Sequence, residues 1–241
     1  MQLVNKSSLK IHPTKQTIDR PLGIPKNSPF QDKNSVFCVS GSMGSGKSSW
    51  LNSATTCRKA DGKIFSGCFA KVFYMTPEDC FTSENDHPFK DHHKSRLFHE
   101  FNSDTLNQVV EQALQNKHEN NENSLLIIDD YSEELKNLET IRLLKRIIFK
   151  HRHYQMSIII SAISLRLIPK SIRSLIDYFV VFRPKSLNEV SGYNEEIFGL
   201  NKAEMKSLFD FVYDEPYNFL VFDNKKGKYY RNFDEIGGIG N

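Results

Sequence analysis

Apolar positions in this chain fall into short runs separated by polar stretches with a helical period. Ser35–Ser40 is a β-prone run that ends at glycine and reads as a buried strand. Ala70–Met75 reads as a second strand, stopped by Thr76-Pro77. Ser124–Asp129 is a continuous apolar run ending in acid, the pattern of a parallel strand buried on both faces. Ser157–Ser161 and Ile176–Phe182 are further buried strands. Tyr217–Phe222 reads as a late strand, paired with Lys228–Arg231 around Asn224–Gly227. Between them, helices are expected over Gly46–Lys59, Thr105–His118, Leu138–Phe149 and Asn201–Val212. Glu78–Lys94 shows no clean period and reads as a long loop, and Lys117–Asn123 as a polar connector. Strands alternating with helices predict an α/β fold with helices on both faces of a mostly parallel sheet.

The four prolines Pro13, Pro21, Pro25 and Pro29 mark residues 1–34 as an extended arm. Residues 35–223 form the expected domain, and 224–241 the end of a hairpin and a tail. Ile236–Asn241 is expected to be unstructured or an attachment point. No internal repeat is visible. At 241 residues, with 39% hydrophobic and 25% charged, the chain can bury a sizeable core. No run is long and apolar enough for a spanning helix, and Met1–Pro13 lacks the apolar stretch of a secretion signal. Cys38, Cys57, Cys68 and Cys80 form no CxxC pair, which argues against a zinc ribbon and fits a reducing compartment.

Gly41-Ser42-Met43-Gly44-Ser45-Gly46-Lys47-Ser48 matches the phosphate-loop pattern GxxxxGK[ST] in full, and Ser49 follows it. Such a loop must wrap phosphate with its backbone N–H groups, which requires glycine for close approach and positive φ. The helix that follows favours anions at its N-terminus. Lys47 is expected to neutralise the β- and γ-phosphates of ATP, and Ser48 to ligate Mg²⁺. Loops of this kind work with a carboxylate at the tip of a neighbouring apolar strand, and Leu125–Asp130 supplies one. Asp129 is read as the magnesium-side acid. Asp130 is read as the residue that orients the attacking water, or else as a helix cap. Two adjacent acids beside a triphosphate repel without a metal, so Mg²⁺ is implied. Glu133 and Glu134 fit a solvated helix start.

From Ile141 to Lys185 there are ten basic residues and one acid, Asp177. That block is +9 in a chain of net charge +3, leaving −6 elsewhere, as expected for a polyanion partner. Arg142, Lys145 and Arg146 also fit a solvated helix face. Arg152 and Arg173 sit in loop-like positions, where an arginine can reach a neighbouring subunit's phosphate.

Gly41–Ser48, the acid-tipped strand, Lys150-His-Arg-His153 running into Ser157-Ile-Ile-Ile160, and Ile168-Pro-Lys-Ser-Ile-Arg173 occur in one order. Together, with Tyr74-Met-Thr-Pro77, they resemble the genome-packaging ATPases of large double-stranded DNA viruses and virophages, within the FtsK–HerA superfamily. The resemblance spans Pro21 to Lys185. It implies a three-layer P-loop NTPase of additional-strand, RecA-like topology, with Ser157–Ser161 inserted between the P-loop strand and the acid-tipped strand. It implies a homo-oligomeric ring that pumps double-stranded DNA into a capsid, docked on a capsid or portal component, in the host cytoplasm and virion. Lys47 and Ser48 would hold nucleotide and Mg²⁺, Asp129 the metal, and Asp130 the water. Two departures stand out: Ser161-Ala-Ile-Ser164 replaces a glutamine after the inserted strand, making Ser161 the substitute γ-phosphate sensor, and Lys150-His151 replaces a glycine before Arg152-His153. The length leaves no room for a separate nuclease domain.

Two other classes remain open on the residues alone. A P-loop kinase would need an arginine-bearing lid and an acceptor pocket. A non-catalytic DNA- or capsid-binding protein could retain the nucleotide fold, although Lys47 and Ser48 are intact. Cys80, His87, His92, His93 and His99 have irregular spacings for zinc. Trp50 and the aromatics from Phe209 to Tyr230 read as packing residues.

Overall fold

The computed structural model describes residues 20–26, 28–56, 64–65, 67–82, 89–131, 135 and 137–239. In chain order the strands are β1 (Val36–Ser40), β2 (Lys71–Met75), β3 (Leu97–Phe98), β4 (Ser124–Ile128), β5 (Met156–Ala162), β6 (Tyr178–Phe182), β7 (Phe219–Asp223), β8 (Lys228–Arg231) and β9 (Asp234–Ile236). The helices are α1 (Lys47–Thr56), α2 (Glu78–Thr82), α3 (Ser103–Asn120), α4 (Leu138–Lys150), α5 (Lys170–Arg173), α6 (Leu187–Tyr193) and α7 (Lys202–Val212).

All described strands share one sheet in the order β3-β2-β4-β5-β1-β6-β7-β8-β9. The first six of these are parallel, and β7, β8 and β9 add antiparallel at one edge. Strand β5 lies between β1 and β4, where the additional-strand expectation puts Ser157–Ser161. β1, β4, β5, β6 and β7 are buried along their whole length, as central strands covered on both faces must be.

Strand alternation sends successive side chains to opposite faces, and each face has its own core. Leu126, Ile128, Ile158 and Ile160 meet α3, α4 and α7 on one face. Leu125, Ile127, Ile159 and Val39 meet Trp50 and Leu51 of α1 on the other. Leu22, Ile24 and Phe30 are buried on this second face too, where they pack against the sheet. Phe30 sits 5.1 Å from both Phe37 and Tyr178, edge to face.

The structure revises several local expectations. The stretch expected as a loop over Glu78–Lys94 begins with α2, and a 3-10 turn from Lys94 leads into β3. Helix α3 runs on to Asn120, through part of the expected connector, because Asn121 takes the left-handed C-cap (φ 51°). Ile236 belongs to β9 rather than to an unstructured tail. Glu133 and Glu134 lie outside the described residues. Among the described residues no helix is long and apolar enough to cross a membrane.

Candidate active site

The P-loop leaves the tip of β1 and ends in α1. Its first glycine is demanded by contact: a Cβ on Gly41 would lie 2.6 Å from Phe182 Cβ and 2.6 Å from Ser45 Oγ. Gly46 has φ 108°, a region L side chains avoid. The loop is tied to the inserted strand, since Gly41 N donates to Ala162 O at 3.2 Å. Lys47 Nζ donates to Gly41 O (2.7 Å) and Ser42 O (3.4 Å), curled over the loop. Burial lowers its pKa, and the nearby charges of Asp129 and Asp130 oppose that shift. A half-buried ammonium beside two carboxylates and a ring of backbone groups is arranged to receive an anion.

Register brings the acids to the same edge. Ile128 pairs with Ile160, so Asp129 and Ser161 follow at the same level, and Ser161 pairs with Val39 on its other side. Ser161 and Asp129 share the face of α1 by alternation. Ser161 Oγ is buried without a hydrogen-bond partner, and so is Ser45 Oγ of the P-loop. Two orphaned hydroxyls in one loop-and-strand corner are what a bound phosphate would satisfy, so these residues fit a nucleotide.

Asp129 Oδ2 accepts a hydrogen bond from Tyr74 Oη at 2.9 Å, while Asp129 N donates to Met75 O. Asp130 has φ 61°, uncommon for a residue other than glycine. Cys80 Sγ donates to Asp130 Oδ2 at 3.5 Å. Burial, followed by these carboxylates, pushes the Cys80 thiol up to about 11, which keeps it a donor. Tyr74 and Cys80 are partners that sequence reasoning missed. Tyr74 lay in a motif noted for another reason, and Cys80 carried no local signal because α2 reaches Asp130 only through the fold.

The structure does not bring either proposed arginine finger to the P-loop of its own chain. Arg152 lies in the turn before Met156, the start of β5, whose seven residues span about 20 Å to the P-loop edge. Arg173 is locked inside the chain. Its guanidinium pairs with Glu196 and donates from Nε to Ile168 O (2.6 Å) and from Nη2 to Arg166 O (3.2 Å). That pairing, with a second contribution from Lys170, holds Glu196 below its ordinary carboxylate value despite burial. The basic block is therefore split. Arg173 is paired with Glu196, which the exposed Lys170 also approaches at 3.6 Å, whereas Arg142 and Arg146 stay exposed on α4. On the P-loop edge the arginines are Arg166, beside Ser42, Met43 and Ser164 in a cleft of about 330 Å³, and Arg183, across a larger cleft.

No group of three or more His, Cys, Asp or Glu residues gathers around a metal-sized space among the described residues. His92 Nε2 meets Val72 O, His93 Nδ1 meets Ser95 Oγ, and His99 Nδ1 meets Thr76 O, so these rings serve the backbone and a turn. His87 lies outside the described residues. Mg²⁺ needs no such cage, because it keeps water and phosphate oxygens and takes only one or two protein ligands. Ser48 and Asp129 are residues of the right chemistry.

A doubly covered, mostly parallel sheet with an inserted strand, a P-loop at the tip of β1 and paired acids beside it defines a P-loop NTPase. The chain belongs to the Poxvirus A32 protein family, whose match runs over residues 26–209. Among solved structures it is similar to B204, the DNA-packaging ATPase from Sulfolobus turreted icosahedral virus, at TM-score 0.63 and 14% identity, covering 84% of this chain and 98% of that one. The genome packaging NTPase B204 from Sulfolobus turreted icosahedral virus 2 in complex with AMPPCP gives TM-score 0.60 and 13% identity, over 84% and 98%. EssC (ATPases 2 and 3) from Geobacillus thermodenitrificans gives TM-score 0.57 and 14% identity, covering 99% of this chain and 49% of that one. No curated protein sequence matches the chain.

Proposed function

We propose that this chain hydrolyses ATP to drive double-stranded DNA into a viral capsid, working as a ring of identical subunits docked on a capsid or portal component, in the host cytoplasm. The observation that carries the hydrolytic part is the meeting of four elements at one sheet edge: the P-loop, the Asp129–Asp130 turn, the tip of β5 with Ser161, and Lys47. In this reading the amides of Gly41–Ser48 and the Lys47 ammonium bind the β- and γ-phosphates. Ser49 continues the cradle toward the α-phosphate. Ser161 Oγ hydrogen-bonds a γ-phosphate oxygen or the attacking water. Asp130, whose Oδ2 accepts from Cys80 Sγ, orients that water and accepts its proton. Ser48 and Asp129 would hold Mg²⁺, which supplies charge neutralisation on the phosphates. The DNA-moving part rests on family membership and on the exposed basic residues of α4. Arg166 and Arg183 stand on the P-loop edge of their own chain, which suits a contact with the phosphates that chain binds, while Arg152, away from that edge, keeps the role of a finger acting across subunits.

The test is ATP turnover with Mg²⁺, with and without double-stranded DNA. The expected result is turnover that rises with DNA, falls with salt as counterion release predicts, and vanishes in Lys47→Ala. Absence of turnover under both conditions refutes the reading.

A further inference from the structure

One stretch of chain outside the P-loop grips both acids of the Asp129–Asp130 turn. Strand β2 runs beside β4 with Met75 paired to Ile128, so the chain leaving β2 passes the acids as they leave β4. Met75 O accepts from Asp129 N at 2.9 Å. Tyr74 donates its phenol to Asp129 Oδ2 at 2.9 Å. Beyond Met75, on α2, Cys80 donates its thiol to Asp130 Oδ2 at 3.5 Å. The metal-side acid and the water-side acid each have a donor of their own.

Core packing does not deliver the thiol to that place, because α2 has no buried residue. The helix is fixed at the strand end instead. Thr76 N donates to Phe98 O (3.0 Å) and Thr76 O meets His99 Nδ1 (3.1 Å), which ties the approach to α2 onto β3 and the residue after it. Phe81 N donates to Pro77 O (3.1 Å), and the Phe81 ring meets that of His99 at 5.5 Å. His99 thus holds the neighbour of Cys80 while the thiol reaches the acid turn. Partial burial, followed by the charge of Asp130, pushes the thiol up to about 11, so it keeps its hydrogen at neutral pH.

A general base must present a lone pair to water within hydrogen-bond reach. The last torsion of an aspartate is broad, so a donor on one oxygen decides the plane of both. Sulfur suits that task. It is a weak donor, and it restrains the plane while withdrawing little of the negative charge that takes up the proton.

We propose that Cys80 is a positioning residue for hydrolysis: its thiol sets the plane of the Asp130 carboxylate, and so the direction in which that carboxylate meets the attacking water. The inference rests on the ATPase reading above, with Asp130 as the acid that takes the proton, and adds the residue that aims it. In the step concerned the water oxygen bonds to the γ-phosphorus. The bond from that phosphorus to the β–γ bridging oxygen breaks, its electron pair leaving with ADP, and the water proton passes to Asp130. The thiol keeps its hydrogen throughout. Tyr74 and Cys80 then serve different ends, the first the metal and the second the water.

The experiment measures ATP turnover of the full chain against Mg²⁺ concentration in the parent, Cys80→Ala and Cys80→Ser. Binding of a non-hydrolysable ATP analogue and thermal unfolding are followed on the same samples. Cys80→Ala is expected to lower turnover at saturating Mg²⁺ about 2- to 10-fold, the range for one hydrogen bond, with half-saturating Mg²⁺, analogue affinity and unfolding temperature unchanged. Cys80→Ser keeps a donor on a shorter arm and is expected to recover part of the loss. A lost metal tether does the reverse, raising the Mg²⁺ requirement and sparing maximal turnover, and a loosened corner moves both. The proposal is overturned if Cys80→Ala leaves maximal turnover as it was, if the Mg²⁺ requirement rises along with the loss, or if Cys80→Ser turns over no faster than Cys80→Ala. Asp130→Asn separates the two readings. If it abolishes turnover while Cys80→Ala spares it, only the role of the thiol falls; if Asp130→Asn keeps full turnover, the role of Asp130 falls and this one with it.

Discussion

Tyr74→Phe removes one oxygen atom from the site and nothing else. The ring is 3% exposed and stacks on Phe89 at 4.6 Å with the planes 17° apart, contacts that phenylalanine keeps. What disappears is the 2.9 Å hydrogen bond from the phenol to Asp129 Oδ2. A hydrogen bond to a charged group nets about 1.5–3 kcal/mol. Asp129 is only partly buried, so water replaces some of that, and about 1–2 kcal/mol remains as the energy holding the carboxylate in one orientation. If the carboxylate is oriented for Mg²⁺, that energy appears in metal affinity, as about a 5- to 30-fold rise in half-saturating Mg²⁺. The assay is ATP turnover against Mg²⁺ concentration, with thermal unfolding of the same protein as control. Maximal turnover at saturating Mg²⁺ is expected to stay within about threefold of the parent. An unchanged Mg²⁺ requirement in a folded variant refutes the idea that Tyr74 orients a metal ligand. A fall in turnover that Mg²⁺ does not restore shows that the phenol serves another step.

Gly41→Ala puts a Cβ against Phe182 Cβ, an atom anchored to strand backbone, so the loop must move. The expected cost is about 1–3 kcal/mol, with at least a tenfold loss of nucleotide affinity, and Phe182→Ala, which keeps that Cβ, does not rescue it. Asp130→Gly relieves a left-handed residue: unfolding in urea is expected to show about 0.5–1 kcal/mol of added stability while turnover is lost, and persisting turnover refutes Asp130 as the water-orienting acid. Glu196→Gln leaves the 10%-exposed Arg173 side chain without its charge partner. Discounted for the partial exposure of Glu196, the expected loss is about 1–3 kcal/mol of stability by urea unfolding, and unchanged stability refutes the pairing as a structural contact. Burial lowers the pKa of His151, outweighing its contacts with Ile148 O and Asn34 O. Its stabilising contribution is therefore present above the ordinary value of 6.5 and lost as pH falls through the lowered folded value, so urea midpoints should drop on acidification, and less so in His151→Gln.

Much of the sheet was legible because apolar runs bounded by glycine, proline and polar clusters have few alternatives. The runs ending at Ser40, Asp129 and Phe182 became β1, β4 and β6 with boundaries shifted by at most two residues. The Glu78–Lys94 segment misled because a five-residue helix carries too little periodicity to stand out, and α2 has no buried residue among its own. The burial of Leu22, Ile24 and Phe30 was not legible because proline breaks periodicity, and an extended chain buries single residues without a repeating pattern. Arg173 looked like a free loop arginine because its partner Glu196 lies 23 residues away and no local pattern announces the pair.

By itself the sequence determined the phosphate loop, the acid-tipped strand and the polyanion-seeking charge block, since each is a local arrangement whose residue types follow from the chemistry it must do. Only the tertiary structure decided how those pieces meet. Inserting β5 between β1 and β4 sets Ser161 level with Asp129 and leaves its hydroxyl unpartnered. Packing α2 near the strand tips brings Cys80 to Asp130, and β6 with β7 places rings beside Gly46. Lateral strand order depends on long-range pairing, which no stretch of sequence encodes alone. The same pairing fixes where the net charge ends up: part of the +9 block is cancelled by Glu196, part is carried to the far end of the sheet with Arg152, and part remains exposed on α4.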